Sequence, residues 1–176
     1  DPAAVTSPRA AIASENNKPI GIFDSGIGGL TVARCIASLL PAESIYYVGD
    51  TKRCPYGPRP QAEVRLFVRQ VGRWLERHDV KLVVIACNTA TAAGLDVIQR
   101  ALKVPVIGVI EPGARAAIQA TRSRRVGVLA TQGTVDSGAY ERAIHNLDDG
   151  VLVTQSAACS FVDFVERELA TGTYLH

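Results

Sequence analysis

The sequence lacks any apolar run close to the roughly 20 residues that a membrane-spanning helix requires. Its first residues contain neither the basic segment nor the apolar segment of a secretory signal. These absences exclude a protein built around a membrane helix, and we expect a cytoplasmic protein with no membrane partner. The sequence also contains no methionine and begins with Asp1, so we expect it to be a fragment or a truncated chain.

The sequence also lacks a large excess of charge of either sign. Nineteen Lys and Arg residues stand against seventeen Asp and Glu residues, which leaves a formal net charge of +2. The one short basic cluster contains Arg122, Arg124 and Arg125. We expect no nucleic-acid partner, because binding to phosphates requires a more extended basic surface.

Cysteines are few and far apart, at positions 35, 54, 87 and 159. Their spacing matches neither the short CxxC pairs of a zinc site nor the dense framework of a small secreted domain. We therefore expect reduced thiols and no bound metal. A composition of 47% apolar and 20% charged residues is that of a globular protein and excludes a disordered chain.

From residue 19 onward, apolar runs of strand length alternate with segments of helical period. This alternation predicts an α/β fold with a parallel sheet, and the continuous apolar runs predict strands buried on both faces. Functional residues are expected at the carboxyl ends of the strands. Residues 1–18 show no such period and are expected to form a flexible extension. The predicted strands are 19–23, 44–48, 81–86, 105–109, 125–130 and 151–154, and the predicted helical segments are 30–40, 64–75, 90–102, 113–120 and 137–147.

A glycine-rich loop follows the first predicted strand and suggests a nucleotide site. Gly26, Gly28 and Thr31 approach the dinucleotide fingerprint, and Asp50 stands where an acid would bind the ribose. Thr31 replaces the third glycine, however, and Asp24 at the mouth of the loop would repel a pyrophosphate. A nucleotide-dependent oxidoreductase is therefore the least favoured alternative, and the glycines are expected to let the helix pack close to the sheet.

Cys87 directly follows the buried run 82–86 and stands at the start of a predicted helix. The helix amides should favour its thiolate and lower its pKa below the ordinary value of about 8.5. The alternative is that Cys87 is a small buried apolar residue. Asn88, Thr89 and Thr91 follow it, and such an amide and hydroxyls suit a small anion such as an amino-acid carboxylate. The threonines could equally cap helices.

The three histidines do not support a cysteine–histidine dyad. His78 lies near the end of a predicted helix, His145 lies on a polar helix face, and His176 is the last residue. None of them follows a predicted strand, which argues against a papain-like protease.

Six blocks of sequence, in this order, resemble the bacterial glutamate racemases, and the resemblance runs from about residue 19 to the chain end. The blocks are GIFDSGIGGLTV at 21–32, YVGDT at 47–51, PYGP at 55–58, IACNTAT at 85–91, PVIGVIEP at 105–112 and TQGT at 131–134. The resemblance implies a cofactor-independent enzyme that interconverts L- and D-glutamate and supplies D-glutamate for peptidoglycan. It also implies two similar Rossmann- or flavodoxin-like lobes with parallel sheets and the active site in the cleft between them.

The same resemblance assigns roles to residues. Family members use two cysteines on opposite faces of the substrate, and Cys87 matches one of them. Asp24 matches the acid that assists the thiol, and Glu166 matches a glutamate near the second thiol. The positions that match substrate contacts are Asp24, Ser25, Tyr56, Gly57, Asn88, Thr89, Thr131 and Thr134.

The sequence also departs from the family pattern. Family members carry the second cysteine in a Cys-Thr-His block, which this sequence does not contain, and Cys159 matches a position that is not catalytic. We therefore expect a first lobe at 19–111 and an incomplete second lobe at 112–176. Alternatives are an aspartate racemase and a non-catalytic module that binds carboxylates. The resemblance is compatible with a homodimer and with a peptidoglycan-precursor activator, which regulates some family members.

Overall fold

The computed structural model describes residues 17–161 and 164. The predicted extension at 1–18 therefore lies outside the described residues except for its last two positions. The strands are β1 (Ile20–Asp24), β2 (Ile45–Gly49), β3 (Leu82–Ile85), β4 (Val106–Gly108), β5 (Arg125–Ala130) and β6 (Leu152–Ala157). The helices are α1 (Leu30–Leu39), α2 (Gln61–Arg77), α3 (Asn88–Ala101), α4 (Ile110–Ala120), α5 (Gln132–Asp136) and α6 (Ala139–His145).

The first four strands form one parallel sheet in the order β2-β1-β3-β4. Ile20 of β1 lies opposite Ile45 of β2 on one side and Leu82 of β3 on the other. The predicted α/β class with parallel pairing is therefore confirmed. Because all these strands run in the same direction, their carboxyl ends meet at one edge of the sheet.

Helices cover both faces of this sheet, which explains the apolar runs of its central strands. All five residues of β1 are buried. Successive side chains of a strand point to opposite faces, so Phe23 packs in one core with Val68 of α2 and Ile98 of α3. Ile22 packs in a second core, against Ile36 of α1. Two-sided burial is thus confirmed for the centre of the first sheet.

The second sheet contains β5 and β6, which pair in parallel from Arg125 opposite Leu152 to Ala130 opposite Ala157. Here the prediction of burial on both faces was wrong, because exposed and half-buried residues alternate along both strands. Leu129 is 74% exposed. On the other face, α4 and α6 build a small core around Ala114 and Ile144. Within residues 17–161, helices therefore cover one face of this sheet.

The connection between the two sheets runs through α4. The predicted boundary between lobes, after residue 111, falls in the first turn of this helix and stays a prediction. The predicted helix at 137–147 corresponds to α6, and the short helix α5, at 132–136, was not predicted. Across the described part of the chain, no helix has both the length and the hydropathy needed to cross a membrane.

Candidate functional site

A cavity of about 380 Å³ opens at the carboxyl ends of β1 and β3. Asp24 is the last residue of β1, and Cys87 follows the end of β3 by two residues and caps α3. The fold therefore brings together residues that are more than sixty positions apart. The cavity is lined by eight of the predicted site residues: Asp24, Ser25, Tyr56, Gly57, Cys87, Asn88, Thr89 and Thr131.

The carboxylate of Asp24 is buried and held by the glycine-rich loop. Its Oδ2 atom accepts hydrogen bonds from the backbone N–H groups of Gly26 and Gly29, both at 3.0 Å. At Gly29, an added Cβ would lie 2.6 Å from the Cβ of Asp24 and 2.9 Å from that of Ala86. The loop thus needs a glycine there so that its backbone can approach the sheet.

Cys87 is 7% exposed and has two polar neighbours. Its thiol donates to Ser25 Oγ, with the two atoms 3.4 Å apart, and its Sγ accepts from the backbone N–H of Ala90 at 3.4 Å. The second contact is an N-cap interaction, which satisfies one of the free amides at the start of α3.

The prediction that the helix start lowers the pKa of Cys87 was wrong in its net direction. Burial raises the pKa of Cys87 above its ordinary value, and the nearby charge of Asp24 raises it further. The hydrogen bonds with Ser25 and Ala90 lower it, but by less. Removing a thiolate from water costs more than these contacts return, so Cys87 is mainly a neutral thiol at neutral pH.

Three threonine hydroxyls connect the first sheet's site to the second sheet. Thr89 Oγ1 lies 2.8 Å from Thr131 Oγ1 and 3.3 Å from Thr134 Oγ1, and the last two are 3.0 Å apart. Each hydroxyl can both donate and accept, so the three can satisfy one another. Thr131 also caps α5. Thr134 is fully buried.

Two further contacts beside the threonines join the part of the chain that forms the first sheet to the part that forms the second. The backbone N–H of Gly133 donates to the carbonyl oxygen of Gly57 at 3.1 Å, and Gln61 Nε2 donates to the carbonyl oxygen of Gly133 at 2.7 Å. Gln61 was not predicted from the sequence. Its position directly after Pro60, at the start of α2, marks a helix beginning, but no local pattern connects it to a residue 72 positions later.

Tyr56 lines the cavity and is almost fully buried. Its hydroxyl donates to Asp50, and the same carboxylate pairs with Arg53 Nε at 2.6 Å. Burial and the contact with Asp50 raise the pKa of Tyr56, which therefore stays protonated. Asp50, the acid at the position of a ribose ligand, instead holds the loop that carries Tyr56, which removes support for a nucleotide site.

Asn88 is exposed to the cavity, and its Oδ1 accepts a hydrogen bond from the hydroxyl of Tyr140 at 2.7 Å. Tyr140 belongs to α6 and was not predicted as a site residue. It lies on an ordinary helical stripe, 52 positions after Asn88, so the sequence contains no signal for this contact.

Of the other predicted site residues that the structure describes, Thr134 does not line the cavity. Glu166 lies outside the described residues. Cys35 and Cys159 are exposed, and Cys87 is the one cysteine that lines the cavity in the described part of the chain. Among those residues, no three His, Cys, Asp or Glu side chains are placed to hold a metal ion. His145 contacts the carbonyl oxygen of Val151 at 3.1 Å instead of the cavity.

Comparison with known proteins connects this chain to one family. The model of the family described as Asp/Glu/Hydantoin racemase matches residues 20–173. The glutamate racemase of Exiguobacterium sibiricum is 50% identical over 159 residues, which are 90% of this chain and 59% of that protein.

Solved structures give the same result. The glutamate racemase of Francisella tularensis, solved in complex with D-glutamate, is 38% identical with a TM-score of 0.82, over 92% of this chain and 59% of that one. The Escherichia coli glutamate racemase, solved with L-glutamate and the activator UDP-MurNAc-Ala, is 32% identical with a TM-score of 0.70, over 86% and 57% of the two chains. This chain thus spans less than two thirds of the length of these relatives.

Proposed function

We propose, from the premise that this chain belongs to the Asp/Glu/Hydantoin racemase family, that its cavity binds glutamate and that Cys87 transfers the α-proton of the substrate. The observation that supports this proposal is the position of the Cys87 thiol. It lies between the Asp24 loop and the start of α3, in a cavity lined by hydroxyls and an amide. The relatives named glutamate racemase support the choice of substrate.

The start of α3 supplies groups for a carboxylate. The first backbone N–H groups of a helix have no partner inside the helix, and its dipole favours a negative charge there. Beside them lie the side-chain amide of Asn88 and the hydroxyls of Thr89 and Thr131. We propose that these groups hold one carboxylate of glutamate and stabilise the charge that develops when the α-proton leaves.

The proposed chemical step needs no cofactor. The thiolate of Cys87 forms an S–H bond with the α-proton, the C–H bond breaks, and its electron pair moves into the adjacent carboxylate. A proton delivered to the opposite face of the α-carbon inverts the centre. By family resemblance, a second thiol in the Cys-Thr-His block delivers it. Holding the thiolate next to the α-carbon supplies much of the rate, since proton transfer by a positioned group contributes only about 10²–10⁴-fold.

Because the pKa of Cys87 is raised, forming the thiolate requires the thiol to lose its proton to solvent, and we propose that bound glutamate favours this loss. The α-ammonium group of bound glutamate places a positive charge in the cavity, and a nearby positive charge favours the thiolate. By family resemblance, Asp24 is the acid that assists the thiol. Hydrogen bonds from the backbone N–H groups of Gly26 and Gly29 fix its carboxylate. Its charge alone opposes the thiolate, so the positive charge of the substrate has to outweigh it.

The wider proposal follows the family. We propose a lobe at 19–111 and a lobe at 112–176 with the site in the cleft between them. We also propose that the enzyme works in the cytoplasm, where thiols stay reduced, and that its D-glutamate is used for peptidoglycan synthesis. None of the four cysteines, all of which lie among the described residues, forms a disulfide. A homodimer and activation by a peptidoglycan precursor belong to the same proposal. For the activator, the support is the Escherichia coli complex with UDP-MurNAc-Ala.

The test follows deuterium at the α-carbon. The chain is incubated in D₂O with L- or D-glutamate and no cofactor, and the deuterium content of the amino acid is read by mass spectrometry. We expect exchange with at least one enantiomer, its loss in Cys87→Ala, and its retention in Cys35→Ala, which removes an exposed cysteine of α1.

Other outcomes of the experiment would change the proposed function. Exchange of aspartate in preference to glutamate would favour an aspartate racemase. Glutamate binding by calorimetry without exchange would favour a non-catalytic carboxylate-binding module. Absence of both binding and exchange would overturn the proposed function.

A further inference from the structure

Asn88 and Tyr140 form a hydrogen bond between the two lobes at the edge of the cavity. Asn88 is the first residue of α3, the helix that follows β3 of the first sheet. Tyr140 is the second residue of α6, which packs on the second sheet. The hydroxyl of Tyr140 donates to Asn88 Oδ1 at 2.7 Å. The side chain that faces the cavity is thus held from the opposite lobe.

The direction of this hydrogen bond determines what Asn88 offers to a ligand. A side-chain amide has one accepting oxygen and two N–H donors. Because the oxygen is bound by Tyr140, the two N–H groups on the nitrogen remain for the cavity. A free asparagine could turn its oxygen toward a carboxylate, which would repel it. In the structure, the contact with Tyr140 holds the amide in the opposite orientation, with its oxygen bound by the hydroxyl.

Tyr140 is suited to this task because its own position is restricted. An added Cβ at Gly113 of α4 would lie 3.2 Å from its hydroxyl oxygen, so the ring end packs closely against that helix. Burial raises the pKa of Tyr140, which keeps the hydroxyl protonated and able to donate.

We propose that Tyr140 is a positioning residue: through its hydrogen bond to Asn88 Oδ1 it orients the Asn88 amide so that the N–H groups bind a carboxylate of the substrate. The inference rests on the proposed function, since it takes glutamate as the ligand. It also makes glutamate affinity depend on the position of the second lobe, because Tyr140 moves with α6.

The first test measures the dissociation constant of D-glutamate by isothermal titration calorimetry on the whole chain. Tyr140→Phe removes only the hydroxyl, and we expect the dissociation constant to rise about fivefold, the effect of one lost hydrogen bond. Tyr46→Phe is the matched control, because Tyr46 is an exposed residue of β2 away from the cavity. We expect no change in that variant.

A merely structural role for Tyr140 predicts a different pattern in double variants. If Tyr140 acts through Asn88, Tyr140→Phe has no further effect on the dissociation constant in an Asn88→Ala background. The same loss in both backgrounds would overturn the proposal. So would an unchanged dissociation constant in the single Tyr140→Phe variant.

Two readouts keep the test decisive if Tyr140→Phe folds poorly. Asn88→Asp keeps an acceptor for Tyr140 but removes both N–H donors, and we expect it to weaken glutamate binding at least about tenfold, since a charged acceptor also repels the ligand. Wild-type affinity in Asn88→Asp would overturn the proposal. In the free wild-type chain, the heteronuclear NOE of the Asn88 side-chain amide should be that of an ordered group, and a mobile amide would also contradict it.

Failure of the inference is distinguishable from failure of the proposed function. A wild-type chain that binds neither enantiomer of glutamate overturns the proposed function. A wild-type chain that binds glutamate with the same affinity as Tyr140→Phe overturns only the role of Tyr140.

Discussion

The thiol of Cys87 donates a hydrogen bond to the hydroxyl of Ser25 across a distance of 3.4 Å, although the two residues follow different strands. This contact is the largest of the interactions that lower the pKa of Cys87. Burial and the charge of Asp24 act in the opposite direction. The readiness of the thiol to ionise therefore depends on a balance that single substitutions can shift either way.

Replacing Ser25 with alanine should shift this balance toward the neutral thiol. Ser25→Ala removes an interaction that lowers the pKa of Cys87, so the pKa should rise further above its ordinary value. Because iodoacetamide reacts with the thiolate, the pH midpoint of Cys87 alkylation should move to higher pH. Peptide mass spectrometry gives the rate at each pH, and exposed Cys35 serves as the internal control. A midpoint that stays in place or moves down contradicts the assignment of this contact.

Replacing Asp24 with asparagine should have the opposite effect on the same readout. The negative charge of Asp24 raises the pKa of Cys87, so Asp24→Asn should lower it and move the alkylation midpoint to lower pH. The asparagine Oδ1 can still accept from Gly26 and Gly29, which preserves the loop. A shift in the same direction as that of Ser25→Ala would show that a change in packing, not charge, dominates.

Gly29 should tolerate no side chain, since an added Cβ would lie 2.6 Å from the Cβ of Asp24. We expect Gly29→Ala to reduce the free energy of unfolding by about 1–3 kcal/mol, the usual cost of an overpacked site. Urea denaturation measures this difference. At Gly127 nothing lies within 4 Å of an added Cβ, so Gly127→Ala is the matched control. Equal effects of the two substitutions would contradict the close approach at Gly29.

Gln61 should hold the two lobes together at the cavity. Gln61→Ala removes the hydrogen bond to the carbonyl oxygen of Gly133, and we expect faster hydrogen exchange in α5, measured by mass spectrometry. Gln99→Ala is the matched control, because Gln99 donates to the carbonyl oxygen of Val106 within the first lobe. It should leave exchange in α5 unchanged. If Gln61→Ala also leaves α5 unchanged, Gln61 does not couple the lobes.

The central elements of the first sheet could be predicted because their burial on both faces requires apolar runs. The run at 19–23 covers β1 except for its last residue, the run at 81–86 contains β3, and the expected edge of the sheet holds the cavity. The second sheet could not be predicted in the same detail. Its apolar runs resemble those of the first sheet. Which face is covered depends on how α4 and α6 pack, and the sequence of β5 does not specify that packing.

The site could be predicted where its residues lie at or just after the ends of strands. Asp24 ends β1 and Cys87 follows the end of β3 by two residues, and the structure places both at the cavity. The net pKa direction of Cys87 could not be predicted, because it depends on how deeply the folded chain buries the sulfur. Gln61 and Tyr140 were missed because their contacts join residues distant in sequence, and their own surroundings match those of ordinary helix residues.

Protection of Cys87 by ligand tests most directly the claim that Cys87 and bound glutamate share one cavity. The alkylation rate of Cys87 is measured with and without saturating glutamate, and that of Cys35 is measured in the same sample. We predict that either enantiomer of glutamate slows alkylation of Cys87 at least about tenfold, because ligand excludes the reagent in proportion to its saturation of the site, while Cys35 reacts at an unchanged rate. Equal Cys87 rates with and without saturating glutamate would contradict the account.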